Sequence, residues 1–314
     1  MTVVMSIRPL ISVLMNCYNS DKYLRESIES VLNQSYSNWE LIFWDNCSTD
    51  ESANIVKAYV DKRIRYFRGR EFVSLGEARN LAINKVAGEY LAILDCDDVW
   101  LPSKLEKQVA IFLREKDVAA VYSNYLKLDE KGGYEQNLLN NRLIRRGRTF
   151  ENIFLHKLTI PWPTVMFRTS VVIEVGMFSH YKQVEDFDIL LKIAVKGLFF
   201  YIDENLAIYR IHTNQLSVDY DLTLKEILVV YDYWYTRWTN NSKHKLKNYY
   251  LLIRGRSKIY HITGLRAIIQ NEQASKYFIS SSYFLPTPRS ILLLIISLIP
   301  FFKKMARRYY FEKE

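Results

Sequence analysis

Along the first two-thirds of the chain, short apolar runs alternate with stretches whose apolar positions recur at helical spacing. Leu10–Met15 is apolar and ends in Asn16-Cys17-Tyr18-Asn19, the pattern of a buried strand running into a polar turn. Ser20 or Asp21 can then cap a helix whose apolar face is Leu24, Ile28, Val31 and Leu32. Glu40–Trp44 predicts the next strand and ends in Asp45-Asn46-Cys47-Ser48-Thr49-Asp50. A helix with Ile55, Val56 and Tyr59 on one side follows, and Ile64–Phe67 reads as a short strand. The pattern continues with a helix over Glu77–Lys85, a strand at Leu91–Leu94, a helix over Lys104–Arg114 and a strand at Val118–Ser123.

This alternation implies a mostly parallel, three-layer α/β sheet, in which ligands bind beyond the carboxyl ends of the strands. The turns after the strands at 10–15, 40–44 and 90–94 should therefore share one crevice. After Ser123 the pattern is irregular. Lys131-Gly132-Gly133 reads as a hairpin turn, and Ile160–Thr164 precedes a strand at Val165–Arg168. Val184–Asp188 opens a helix with Ile189, Leu190 and Ile193 inward, and Phe199–Arg210 reads as a strand closing at Ile211-His212. From about Ser217 the chain is helical in pattern and rich in Tyr and Trp.

Composition changes this picture mainly through charge. The 314 residues carry a net charge of +9. From Arg237 to the end there are 15 basic and 3 acidic residues, so a near-neutral body precedes a strongly basic last quarter. Apolar content of 49% suffices for a core and argues against disorder. The first residues lack a basic stretch followed by a long apolar one, so no secretory signal is expected. Three cysteines, Cys17, Cys47 and Cys96, suit a reducing compartment rather than a disulfide framework or a zinc site. All three fall in the shared turns. The longest apolar run, Ile291–Phe302, is interrupted by Pro300 and is shorter than the roughly 20 residues a membrane span needs. With Lys303, Lys304, Arg307 and Arg308 behind it, the run reads either as a segment lying on an anionic membrane or as a helix docking on the protein. The charge asymmetry favours the membrane. No nucleic-acid-binding module is recognisable.

The candidate chemistry centres on Tyr90–Trp100, where a strand ends in Asp95, Asp97 and Asp98. Carboxylates this close repel one another unless a cation neutralises them, and hard oxygen ligands suit Mg2+ or Mn2+. A solvated acidic turn is the other reading of the same residues.

Taken in order, a set of motifs resembles the family 2 glycosyltransferases of the GT-A fold. They are Ser12–Asn19, Trp44–Asp50, Gly76-Glu77-Ala78-Arg79-Asn80, Asp95-Cys96-Asp97-Asp98, Val175–Phe178, Glu185-Asp186-Phe187-Asp188 and Tyr209-Arg210-Ile211-His212. The resemblance covers about residues 9–216. It implies a catalytic domain over 1–216 and a helical, basic region over 217–314. The implied activity is transfer of one sugar, with inversion, from a nucleotide-diphosphate sugar, UDP favoured, to an acceptor hydroxyl. By that resemblance Asn16, Cys17, Tyr18, Asn19, Asp45, Asn46, Arg79, Asp95 and Cys96 form the nucleotide site, with Asn46 accepting the uracil N3–H and Asp95 on the ribose. Arg79 pairs with a carboxylate of that site or reaches the diphosphate. Asp97 binds the metal, Mn2+ or Mg2+, with Asp98 as the alternative ligand and His212 as a contact to metal or diphosphate.

Of the acidic pair, Glu185 and Asp186, Asp186 would be the catalytic base, while Asp188 is structural. Trp162 either stacks on an acceptor sugar or packs inside. Cys47 stands where the family often has Gly. Processive members carry Gln-x-x-Arg-Trp, whereas Arg237-Trp238 here follows Trp234, which implies single addition. The resemblance further implies a glycan or lipid-linked saccharide acceptor, bacterial surface polysaccharide synthesis, and a cytoplasmic enzyme peripheral on the inner face of the membrane. A sugar nucleotidyltransferase is the alternative, disfavoured because Asn16–Asp21 has no glycine, and a non-catalytic membrane-surface module is another.

Overall fold

The computed structural model describes residues 8–137, 146–212, 219–241, 245–269, 277, 280 and 281. These fall into two compact units, one within Met1–Phe150 and Thr159–Gln215, the other within Glu151–Leu158 and Leu216–Glu314.

The first unit is built on one sheet. Strands β1 (Ile11–Cys17), β2 (Trp39–Asp45), β3 (Ile64–Arg68) and β4 (Tyr90–Ile93) are linked by helices α1 (Asp21–Leu32), α2 (Ser52–Lys57) and α3 (Leu75–Ile83). The helical crossovers make these strands parallel, in the order β3-β2-β1-β4. Beyond them lie β5 (Val99–Trp100), α4 (Lys104–Arg114), β6 (Val118–Leu128), β7 (Tyr134–Asn137), β8 (Arg146–Gly147), β9 (Met166–Arg168), α6 (Thr169–Glu174), α7 (Glu185–Lys196) and β10 (Leu198–Arg210), while α5 (Phe150–Phe154), between β8 and β9 in the chain, falls in the second unit from Glu151 on. The sheet continues from β4 as β9-β6-β10-β5.

The second half is mixed rather than parallel. β6 and β10 are parallel, but β9 runs antiparallel between β4 and β6, and β5 antiparallel to β10. The cause is the irregular stretch after Ser123. Among the described residues between β6 and β9 the only α-helix is the short α5, and β9 starts after the single turn at Trp162–Thr164, where the Trp162 ring lies against Arg79.

Alternation along each strand sorts the side chains onto two faces. Ile11, Val13, Met15 and Cys17 of β1 join Trp39, Leu41 and Phe43 of β2 and Tyr90, Ala92, Leu94 and Cys96 in one core, covered by Leu24, Ile28 and Val31 of α1 and Leu105, Val109 and Phe112 of α4. Each of those α1 side chains is fully buried and contributes about 1.5–3 kcal/mol. On the other face α3 packs on β1 and β2, and α7 on β6. β1 and β2 end in register at Cys17 and Asp45, and the Asp95 loop follows β4 on the same edge.

The second unit contains α8 (Tyr220–Asn241) packed on α9 (Lys245–Ile269). Buried Tyr231 donates its hydroxyl to the Phe154 carbonyl at 2.9 Å. Among the described residues, no helix is long and apolar enough to cross a membrane. The run Ile291–Phe302 and its basic flank lie outside the described residues.

Candidate active site

The loops after β1 and β2 are built around buried carboxylates. Asp45 is fully buried. Its Oδ1 accepts the Ser48 N–H at 2.6 Å, and its Oδ2 accepts the Tyr66 hydroxyl at 2.6 Å and Arg68 Nη1 at 2.8 Å. The tight turn forces Cys47 to φ +68°, a conformation glycine adopts more readily than any other residue. Ser48 Oγ accepts the Asn19 N–H at 3.1 Å, and Asn19 Oδ1 accepts the Thr49 N–H at 2.8 Å, so the two loops interlock. Asp50 accepts the N–H groups of Asp21 and Ser52, tying the starts of α1 and α2 together. Hydrogen bonds to these amides outweigh burial and hold the Asp50 carboxyl below its ordinary value, though burial is the largest single influence.

The acidic loop after β4 is held from two sides. From α1, Ser27 Oγ donates toward the carbonyls of Cys96 at 2.8 Å and Asp98 at 2.7 Å. From the end of β10, the Arg210 N–H donates to Asp98 Oδ1 at 2.9 Å and its Nε to the Asp97 carbonyl at 3.0 Å. The Arg210 guanidinium also pairs with Glu26 and lies 4.2 Å over the Tyr23 ring. Asp98 is 1% exposed, and burial together with Asp97 and Asp95 pushes its carboxyl well above the ordinary range. It is the inner carboxylate of the loop, with its Oδ1 taken up by the Arg210 N–H. Asp97 faces outward with its Oδ2 at 2.9 Å from His212 Nε2.

Arg79 connects this loop to the start of α7. It is 2% exposed, with Nη1 paired to Glu185 and Nη2 at 3.2 Å from Asp95 Oδ1. Its guanidinium lies 4.9 Å from the Trp162 ring and 5.4 Å from that of Phe178. The surrounding motif explains the placement. A Cβ at Gly76 would collide with the Ser179 carbonyl, so only glycine lets that segment onto α3. Asn80 then clasps Phe178, donating Nδ2 to its carbonyl at 2.8 Å and accepting its N–H at 2.9 Å. Gly176, at φ +84°, ends α6 and turns the chain toward that clasp. Burial, opposed by Arg79, pushes Glu185 up to about 7, and it raises Asp186 and Asp95 as well.

The expected residues from Asn16 to Asn19, Asp45 to Asp50 and Asp95 to Asp98 thus share the carboxyl edge, and Arg79, Glu185 and His212 reach the last of these loops. The structure adds detail at Asn46 and at Trp162, the latter in the inward packing that was one of its two readings. The Asn46 amide is engaged with Val73, donating to its carbonyl at 2.9 Å and accepting its N–H at 3.3 Å, so Asn46 anchors the 69–74 loop. Trp162 is 8% exposed and packs against Arg79 and Phe178. Asp188 is structural, bound to Ser179 Oγ and Lys192. The three cysteines are free, Cys17 and Cys96 buried. The neighbouring Cys96 thiol holds the Cys17 thiol below its usual range, while the Cys17 thiol and burial push Cys96 well above it.

Sequence reading missed the supporting side of the site: Tyr23, Glu26, Ser27 and the Arg210 side chain. Ser27 carried a signal, a polar residue beside Leu24 and Ile28 on the apolar stripe of α1. It also missed Phe72, exposed like Tyr18, with the two ring centroids 4.5 Å apart.

No group of three or more metal-ligating side chains exists among the described residues. Asp97 and His212 still fit a hard divalent cation that keeps few protein ligands and takes the others from phosphate and water. The buried Asn16 amide oxygen and nitrogen have no protein partner among the described residues, nor has Glu185 Oε2. Such atoms are costly unless a ligand or water meets them.

A mixed α/β sheet with acidic loops at its carboxyl edge is the GT-A architecture. S. aureus TarS (1–349) in complex with UDP-GlcNAc matches at a TM-score of 0.64 and 18% identity, covering 95% of this chain and 87% of that one. The mannosyltransferase PcManGT of Pyrobaculum calidifontis, in complex with GDP-Man and Mn2+, matches at 0.59 and 14% identity, covering 98% and 89%. Residues 12–176 match the model of glycosyl transferase family 2. TuaG of Bacillus subtilis, named for teichuronic acid biosynthesis, is 31% identical over 71% of this chain and 88% of its own length. The chain belongs to glycosyl transferase family 2.

Proposed function

We propose that this glycosyltransferase moves one sugar from a UDP-sugar to an acceptor hydroxyl with inversion, using a divalent cation at Asp97 and His212. The observation that carries the reading is the Arg79 bridge, which ties donor-loop Asp95 to Glu185, the neighbour of Asp186. Donor and acceptor machinery then meet in one hydrogen-bonded network.

The base lies against Tyr18 and Phe72, with Asn46 setting the position of Phe72 through Val73. The buried Asn16 amide and Asp95 face the nucleoside and ribose. Asp97 and His212 would hold the cation, which when bound would offset the negative charge growing on the leaving diphosphate. Glu185 is committed to Arg79, which leaves Asp186 as the base. Burial raises its carboxyl, making it a better proton acceptor near neutral pH. As the acceptor oxygen bonds to the anomeric carbon, the carbon–diphosphate bond opens on the opposite face and the hydroxyl proton passes to Asp186.

Teichuronic acid biosynthesis in the name of TuaG supports a surface-polysaccharide acceptor. TarS with UDP-GlcNAc supports the UDP donor, and PcManGT with Mn2+ the metal. The missing Gln before Arg237-Trp238 supports single addition. The basic last quarter supports a lipid-linked acceptor met at the anionic inner face of the membrane. α9 is part of it, with Lys245, Lys247, Arg254, Arg256, Lys258 and Arg266 and no acidic residue.

Calorimetric titration with UDP, GDP and dTDP, with and without Mn2+, tests the donor site in wild type and Asp97→Ala. Metal-dependent binding of UDP, lost in the variant, is expected. Asp186→Asn should bind UDP normally and lose transfer by about 10²-fold or more. Near-normal turnover of that variant overturns the assignment of the base.

A further inference from the structure

β1 and β4 place two cysteines side by side beneath the loops just described. Ile11–Leu14 pairs in parallel with Tyr90–Ile93, and the Leu94 N–H continues the ladder to the Leu14 carbonyl at 3.1 Å. The strand pairing ends at Leu14 and Ile93 and Cys96 lies in the turn beyond; the same offset carried three residues on would set Cys17 opposite Cys96. Both side chains belong to the same buried core, and Cys96 Sγ reaches the carbonyl of Asn16, the residue before Cys17, at 3.2 Å. Neighbouring strands lie about 4.8 Å apart, inside the roughly 4.4–6.8 Å span of Cα atoms that a disulfide bridges. Both side chains are buried, Cys17 2% and Cys96 5% exposed, and both lie at the loop end of the sheet. Cys17 Sγ lies 3.7 Å from Ser48 Oγ, and the next residues along, Tyr18 and Asp97, reach solvent.

We propose that Cys17 and Cys96 form a redox-sensitive dithiol, closed to a disulfide by peroxide and reopened by a dithiol reductant. The Cys17 sulfur attacks the peroxide O–O bond, giving a sulfenic acid and one water. The Cys96 sulfur then displaces the hydroxyl from that sulfur, the S–S bond forms, and a second water leaves. Two electrons pass from the sulfurs to the peroxide oxygens. The bond staples the Asn16–Asn19 loop to the Asp95–Asp98 loop, and it removes the thiol hydrogen that meets the Asn16 carbonyl. Nucleotide binding therefore falls in the oxidised chain. That consequence rests on the donor-site reading, whereas the bond itself does not.

The test treats the full chain with hydrogen peroxide and counts thiols after unfolding. Three titratable thiols before treatment and one after it, Cys47, with three again after dithiothreitol, are expected. Intact mass should fall by two hydrogens, and a digest should yield the joined Cys17 and Cys96 peptides. Cys47→Ala should still close; Cys17→Ala and Cys96→Ala should not. A bridge that includes Cys47, or oxygen addition with no loss of hydrogens, overturns the proposal. UDP binding that is lost in the oxidised chain and returns on reduction supports the proposed consequence. Equal binding in both forms refutes that consequence while leaving the bond to the mass measurement.

Discussion

Replacing Arg79 with Met tests whether the site is held together by one buried charge. Arg79 is 2% exposed and serves two carboxylates of unequal exposure, Glu185 with its side chain 6% exposed and Asp95 at 37%. Methionine keeps part of the packing between Trp162 and Phe178 but removes the cation. Asp95 can then hydrate, whereas Glu185 cannot. Breaking a buried pair in this way costs about 3–5 kcal/mol.

The cost also depends on pH, because an unpaired Glu185 escapes only by taking up a proton. Its carboxyl is already pushed from 4.5 up to about 7, so in the wild type the folded state binds more protons than the unfolded one across that window. Stability is therefore fully present below about 4.5 and falls as pH rises toward about 7. Without Arg79 the folded value moves higher, and the decline continues beyond 7 at about 1.4 kcal/mol per pH unit. Urea unfolding of wild type, Arg79→Met and Arg79→Met/Glu185→Gln at pH 5 to 8 reads this directly. The destabilisation should be smallest at pH 5 and grow toward pH 8, and the added Glu185→Gln should recover most of the growth. A destabilisation independent of pH, or a double variant no more stable than the single one, would refute the reasoning.

Three further outcomes can be checked on the same preparation. Lys104 is fully buried on Gln108 Oε1 at 2.8 Å and 4.0 Å from the Trp100 ring, and burial pulls its pKa well below the usual lysine value. Because the unfolded chain binds that proton and the folded one does not, stability should rise with pH between the lowered value and the ordinary one, at about 1.4 kcal/mol per unit, and Lys104→Met should remove that slope. Cys47→Gly relieves a side chain at φ +68° and should leave stability unchanged or raise it by up to about 1 kcal/mol in thermal melts, despite losing the Sγ contact to the Gly69 carbonyl. Asn80→Ala strips both hydrogen bonds from Phe178 and should cost about 1–3 kcal/mol. It should also lower kcat more than it weakens UDP binding, since the segment it frees leads to Glu185.

Much of this was legible because strands and catalytic loops announce themselves locally. Leu10–Met15, Glu40–Trp44 and Leu91–Leu94 are apolar runs ending in polar residues, and their parallel pairing follows from the helices between them. The Gly76–Asn80 motif marked a site, yet its logic was hidden. What Gly76, Arg79 and Asn80 each meet, Ser179, Glu185 and Phe178, lies about a hundred residues further on, and periodicity carries no information at that range. The antiparallel return of β9 was hidden for a related reason, since strand direction in an irregular stretch is set by the route of the connection. Asn46 shows the same limit, because a side chain that can accept from a base can equally accept from a main-chain amide, and only coordinates show the Val73 N–H beside it.

The charge layout of the site argues for its own cofactor requirement. Asp95, Asp97, Asp98, Glu185 and Asp186 gather where Arg79 pairs with two of them, while the Arg210 guanidinium is taken up by the Asp97 carbonyl and Glu26. Both arginines are taken up in holding loops, each bound to carboxylates or carbonyls on two sides. A nucleotide diphosphate entering this edge meets more carboxyl groups than guanidinium groups, although the chain as a whole is basic at +9. The affinity the fold offers to base and ribose is opposed by repulsion at the diphosphate unless a cation arrives with it. On the proposed reading, Asp97→Asn should therefore not merely weaken binding. With one carboxylate fewer, UDP should bind the variant without Mn2+ better than it binds the wild type without Mn2+, while the gain from added Mn2+ shrinks. If metal-free affinity falls together with the metal-bound affinity, repulsion is not what the cation relieves, and the role given to Asp97 is wrong.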